Sequence, residues 1–344
     1  MIAAGPKPHK KLLTRARPEH SQALRRSLQL FFLALNIWIG IQFYLFVRYY
    51  ETGGRSVFVP RPPGVEGWLP IASLMNLKVL LSGRGVSKIH PAGTFLLIAF
   101  LVASWIFRKS FCSWLCPVGT ISEYLWRFGR KIFRRNFYLT QVVDVPLRGL
   151  KYVLLAAFLY AVVSMPVAAI QGFLNSPYGI VDDVKMLNFF REIAFTGIGV
   201  LSILAVGSVA VQNFWCRYFC PYGALMSLAA LLSPLRIRRE PEICIDCAKC
   251  AKACPSALPV DRLVTIHSAD CTGCLQCVAA CPAEGALFYS APRRKRVPAW
   301  VVAAGIAALF LSICAYAQWT GHWHTDLSGR VYFNLIPRAD EFEH

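Results

Sequence analysis

Apolar residues in this chain fall into long unbroken runs. Leu28 to Val47, Tyr152 to Ile170, Ile193 to Val211 and Val297 to Ala317 contain no charged side chain, and each is long enough to cross roughly 30 Å of hydrocarbon as a helix. A shorter run, Ala92 to Phe107, starts after Pro91 and stops at Arg108 and Lys109, whose stems can snorkel to an interface. The pattern predicts five transmembrane helices. The first run follows a basic arm like that of a secretory signal, but it is long enough to span and no small-residue cleavage site follows Tyr49 and Tyr50, so it reads as a retained helix.

Between the runs the period changes. After Pro117, Ile121, Leu125, Phe128 and Ile132 recur at helical spacing opposite Arg127, Arg130, Lys131 and Arg134, which suits a helix lying in the headgroup layer. Thr120 and Glu123 form a capping-box pattern.

Charge gives an orientation. Of the Lys and Arg residues, 27 lie in the arm before residue 28, the 108–151 connection and the 217–296 segment, against 9 in the alternate loops. The positive-inside rule then puts the N-terminus and the 217–296 segment in the cytoplasm of a bacterial inner membrane, and the C-terminus in the periplasm. Arg293 to Arg296 act as a membrane anchor. The net charge of +19 is thus a topology signal, and nucleic acid is not an expected partner.

Two similar units close the first two helix pairs: Cys112-x3-Cys116-Pro117 and Cys216-x3-Cys220-Pro221. They imply two parallel helix-pair repeats. On a helix, positions i and i+4 share a face, so each unit aims two sulphurs one way and a pseudo-twofold arrangement gathers all four. Four sulphurs at one interface suit a third iron-sulphur centre, a copper or zinc ion, or a redox-active disulfide pair, with Arg108, Lys109 and Arg217 near enough to favour thiolates. Inert packing is the alternative, and it is the reading for the isolated Cys314.

The densest chemistry lies further on. Cys244-x2-Cys247-x2-Cys250-x3-Cys254-Pro255 is followed by Cys271-x2-Cys274-x2-Cys277-x3-Cys281-Pro282, the bacterial spacing for two [4Fe-4S] clusters, in which each fourth cysteine ligates the other cluster. Cys244, Cys247, Cys250 and Cys281 are assigned to one cluster, and Cys271, Cys274, Cys277 and Cys254 to the second. Zinc knuckles use separated cysteine pairs instead. With 56% hydrophobic residues and mean hydropathy +0.46, the chain is no soluble ferredoxin.

Two Cys-x3-Cys-Pro units followed by a two-cluster segment resemble the membrane polyferredoxin family, which includes NapH-like quinol-oxidising subunits and the membrane part of NosR. The stretches Arg61 to Pro70 and His90 to Gly93 share the resemblance. It implies electron transfer linked to a redox partner protein. A Ser/Asp-Gly-Ala-Thr flavin-attachment site is absent, so covalent flavin is not implied.

No histidine falls within a predicted span, which argues against an internal haem pair and favours quinone as the link. Trp105, Phe111, Trp114 and Tyr124 are candidate quinone contacts, and Glu66 and His90 candidate proton acceptors on the outer side. His322 and His324 alternate in the tail as candidate copper or zinc ligands.

The fold expected is an α-helical membrane protein with an inserted small α+β 2[4Fe-4S] ferredoxin-type module. Its parts are the basic arm 1–27, a four-helix membrane domain 28–239, the module 240–292, a fifth helix 293–317 and a periplasmic tail 318–344. The function expected is electron relay between the quinone pool, or a cytoplasmic donor, and a redox partner, possible quinol dehydrogenase chemistry included. The alternatives are a metallocentre assembly factor or copper reductase using the Cys-x3-Cys units, and a redox-sensing membrane regulator.

Overall fold

The computed structural model describes residues 20–135, 137 and 139–342, so most of the expected basic arm, with His9, lies outside them, as does His344. The chain opens with α1 (Ser21–Glu51), a short 3-10 turn over Pro63–Trp68, α2 (Pro70–Leu81) and α3 (Pro91–Ile106). After α4 (Pro117–Phe133) comes α5 (Gln141–Ser164). Three shorter helices follow, α6 (Val167–Leu174), α7 (Pro177–Ile180) and α8 (Asp182–Arg191), then α9 (Phe195–Ala210) and α10 (Pro221–Leu231).

Strand β1 (Arg236–Arg239), helices α11 (Lys249–Lys252) and α12 (Gln276–Ala279), and strand β2 (Leu287–Ser290) make up the cysteine-rich part. The strands pair antiparallel, Ile237 opposite Tyr289. Helices α13 (Ala299–Trp319) and α14 (Gly329–Leu335) complete the chain.

Three helices, α1, α5 from Val142 onward and α13, are long and apolar enough to cross a membrane, and α8 with α9 pass the same test as a pair bent by 83°. The apolar run Tyr152–Ile170 does not form one helix. Pro166 lacks an N–H and disfavours helical backbone at Met165, so α5 stops at Ser164 and its apolar stretch begins earlier than the run suggests. Helix α3, 16 residues long, packs at the centre among α2, α10 and α13.

Packing between the two cysteine-proline units is reciprocal: α4 lies against α9, and α10 against α3. Gly129 permits the first crossing, because a Cβ there would stand 1.9 Å from the Val209 carbonyl oxygen; small residues let helix backbones approach closely in a membrane. The apolar stripe of α4 is not core. Ile121, Phe128 and Ile132 are 48–57% exposed, while Glu123, Trp126 and Gly129 face inward, as an interfacial helix requires.

Candidate redox centres

Each Cys-Pro unit is built by its proline. Because Pro117 and Pro221 force the preceding residue out of the helical region, Cys116 and Cys220 are extended (ψ 120° and 106°) and become N-caps of α4 and α10. The preceding turn widens to π geometry, closed by Cys116 N–H to Phe111 O at 2.9 Å and Cys220 N–H to Trp215 O at 3.0 Å. The i, i+4 α-helical face expected for each pair is therefore replaced by a π-turn ending in a cap. The caps also take sulphur as acceptor: Gly119 N–H donates to Cys116 Sγ at 3.5 Å and Gly223 N–H to Cys220 Sγ at 3.2 Å. Thr120 is not the cap; its hydroxyl donates to Cys116 O at 3.0 Å.

The four sulphurs come together. Burial, and then the nearness of Cys220, Cys116 and Cys112, pushes the Cys216 thiol well up, and burial pushes the Cys112 thiol up to about 11 and Cys116 to about 12. Such thiols lose their protons to a metal more readily than to water. Of the expected cations only Lys109 acts directly on Cys112. Arg108 donates to Ser268 O at 2.6 Å, and Arg217 holds Asp144 at 2.8 Å.

In the cysteine-rich part the two loops have one backbone. Asp246 and Gly273 occupy the same place before the second cysteine, Ala248 and Leu275 the place after it, and all four have φ between 54° and 60°. The fourth cysteines cross over: Cys254 lies in the field of Cys274 and Cys271, and Cys281 in that of Cys247 and Cys244. This donor set, all sulphur and mutually close, fits iron-sulphur clusters. Cys247 is exposed, whereas Cys254, Cys271, Cys274 and Cys277 are buried.

The buried loop is stapled to the membrane part. Gln22 donates to Cys274 O at 3.0 Å, Ser113 to Thr272 O at 2.7 Å and Trp114 to Gly273 O at 3.2 Å. Lys151 meets Asp270 at 2.6 Å, and Gln276 donates to Glu123 at 2.9 Å.

A cavity of about 690 Å³ reaches from Cys112, Cys116, Cys216 and Cys220 to the loop at Arg61 and Trp68. Of the four aromatics singled out in the sequence, only Phe111 lines it. Trp105 and Tyr124 are exposed, and Trp114 is spent on Gly273. The wall comes instead from Trp38, Phe100, Trp215, Tyr222 and Phe310, with Asn36 accepting from Trp68 Nε1 at 3.0 Å. Asn36 and Gln42, amides inside an apolar span, were the sequence signal for that wall. Cys314 and His324 also line it, while His322 packs on Phe95 at 6.3 Å between ring centroids.

Glu66 and His90 lie outside the wall in a buried ion network. Arg61 reaches Glu66 at 2.6 Å and Asp183 at 2.7 Å, and His90 meets Asp182 at 2.9 Å. Glu66 also accepts from Gly93 N–H at 2.9 Å. Although burial opposes its charge, Arg61 holds Glu66 below the usual carboxylate range, so both oxygens are engaged and the residue secures the loop as an ionised carboxylate.

Apolar spanning helices joined to a ferredoxin-type cysteine module define a membrane iron-sulphur electron-transport protein. A 4Fe-4S binding domain model matches residues 89–136 and again 193–240, and a 4Fe-4S dicluster domain model matches residues 236–282. The chain is 45% identical to the putative electron transport protein YccM of Escherichia coli, across 93% of this chain and 91% of that one. It is 27% identical to the ferredoxin-type protein NapH of E. coli, over 58% of this chain and 67% of the relative. The regulatory protein NosR of Pseudomonas aeruginosa is 29% identical over 55% of this chain and 27% of its own length. The chain belongs to this NapH- and NosR-like family of 4Fe-4S membrane electron-transfer proteins. No solved structure matches it.

Proposed function

We propose that this protein exchanges electrons between a membrane quinone and a redox partner through cysteine-held centres. Cys244, Cys247, Cys250 and Cys281 would hold one [4Fe-4S] cluster, and Cys271, Cys274, Cys277 and Cys254 the other. Bound clusters supply one-electron relay. Exposure of Cys247 offers the first set to a soluble partner, and the staples around Cys274 fix the second against the membrane part. Cys112, Cys116, Cys216 and Cys220 would hold a third centre.

The observation that carries the quinone link is the cavity. Its walls are mostly aromatic and aliphatic, its volume of about 690 Å³ is that of a small-molecule site, and one end of it is the four sulphurs. A quinol there gives up two electrons, one at a time, and two protons; a quinone takes up the same. Five spans follow if α3 and the α8–α9 pair also cross, with the two cysteine-proline units as parallel repeats related by the reciprocal packing of α4 and α10. The charge asymmetry supports the cysteine-rich module in the cytoplasm of an inner membrane and residues 318–344 outside.

Anaerobic mixing of the detergent-purified protein with a short-chain quinol, followed by electron paramagnetic resonance, tests the reading. Cluster signals are expected to form, and more slowly in Leu96→Trp, which fills the cavity. Clusters that dithionite reduces but no quinol does would remove the quinone link.

A further inference from the structure

Between Cys112 and Cys216 on one side and Cys274 on the other lies a second, small chamber of about 40 Å³. Its walls carry more positive charge than their carboxylates balance. Lys109, only 3% exposed, lines it together with Lys151, Arg217, Asp270 and Glu123. Lys151 takes one oxygen of Asp270 at 2.6 Å and Arg148 approaches the other at 3.7 Å. Arg148 and Arg217 share Asp144 at 2.5 and 2.8 Å. Glu123 is engaged by Arg25 and Arg127, each at 2.6 Å. Every other cation on the wall thus has a carboxylate, while Lys109 makes no hydrogen bond and no ion pair among the described residues.

Burying an ammonium without a counter-ion is costly, and here a second ammonium, Lys151, stands nearby. The groups that face Lys109 besides Asp270 are Cys112, Cys216 and Cys220. As thiols these are neutral and balance nothing. As four thiolates around a core of charge +2 they carry a net charge of −2, which becomes more negative when the centre takes an electron.

Building on the third centre proposed above, we propose that Lys109 is the counter-ion of a negatively charged redox centre on Cys112, Cys116, Cys216 and Cys220, and that it raises the reduction potential of that centre. It acts through the centre as a positioning charge. In a low-dielectric site a fixed cation favours the more reduced, more negative state over the oxidised one. Because the chamber also touches Cys274, the same charge lies between the two sets of sulphurs and favours an electron residing on either.

The test is a potentiometric titration of the purified full-length protein followed by electron paramagnetic resonance, with iron and sulphide analysis, in wild type, Lys109→Gln, Lys109→Met and Lys109→Arg. Lys109→Gln and Lys109→Met are expected to shift the centre that is absent from Cys112→Ser to lower potential, with the arginine variant close to wild type. Loss of that centre in both neutral variants and retention in Lys109→Arg supports the same inference, since charge is then what the site requires. An unchanged potential in the neutral variants, or loss in all three, overturns it. If wild type holds no centre sensitive to Cys112→Ser, the third-centre reading itself is wrong, an outcome distinct from a centre that is present and indifferent to Lys109.

Discussion

Arg25 of α1 grips Glu123 of α4 with two parallel bonds, Nη1 to Oε2 at 2.7 Å and Nη2 to Oε1 at 2.6 Å. The same carboxylate accepts from Gln29 at 3.0 Å, Arg127 at 2.6 Å and Gln276 at 2.9 Å, so one side chain joins α1, α4 and the cysteine-rich module.

Removing that carboxylate leaves Arg25 buried and unpaired. Glu123→Ala is expected to cost about 3–5 kcal/mol, the range for breaking one partner of a buried pair, measured by thermal unfolding in detergent. Arg127→Ala, which removes a partly exposed partner, should cost under about 1 kcal/mol.

Ligation should cross between the loops. Cys254→Ser is expected to damage the cluster of Cys271, Cys274 and Cys277, and Cys281→Ser that of Cys244, Cys247 and Cys250, because Cys254 and Cys281 each lie with the other loop's sulphurs. Selective spectra of the two variants check this; loss of each loop's own cluster would refute it.

The two cysteine-proline units differ at one glycine. A Cβ on Gly119 would meet Cys112 O at 2.2 Å, whereas on Gly223 the nearest atom is 3.5 Å away. Gly119→Ala should therefore displace the Cys112 turn at a cost of about 1–3 kcal/mol, and Gly223→Ala should be tolerated. Iron content and melting temperature of the pair report the difference.

Stability should follow pH through the ion network of Glu66 and His90. Its partners, Asp182 foremost, raise His90 against burial from 6.5 to about 10, so its contribution is complete below 6.5 and fades as pH climbs to about 10. Glu66, held low, contributes fully above the ordinary carboxylate range of about 4.3 and loses its contribution as pH falls through its lower folded value. The melting-temperature gap between wild type and His90→Gln should be widest near neutral to mildly acidic pH and close toward pH 10.

If the four membrane-edge cysteines form one unit, Cys112→Ser, Cys220→Ser and the double variant should lose quinol-driven electron transfer to a similar extent, with the ferredoxin-type signals intact. Full activity in both single variants would make these residues packing.

What the sequence disclosed was set by local chemistry. The cysteine spacing, the prolines that restart α4 and α10, and the uncharged runs each act within a few residues, and each is readable. The end of α5 at Ser164 was obscured because Pro166 sits inside a continuous apolar run. Thr120 and Glu123 fit a capping box, yet Glu123 faces Arg25 some 98 positions earlier, a pairing that no short-range pattern encodes. The cavity wall was missed for the same reason: Trp38, Phe100 and Phe310 come from three helices, and only the amides Asn36 and Gln42 mark it locally.

The strand ladder that brackets the cysteine-rich part has a kinetic consequence. β1 follows α10 within a few residues and β2 leads closely into α13, so both ends of the module are moored to the bundle, and the loop around Cys274 is stapled besides. Such a module cannot swing on a tether to meet its partners. If the soluble partner proposed above meets it at Cys247, turnover would be governed by collisions there and would scale with carrier concentration, with no reorientation step setting a ceiling.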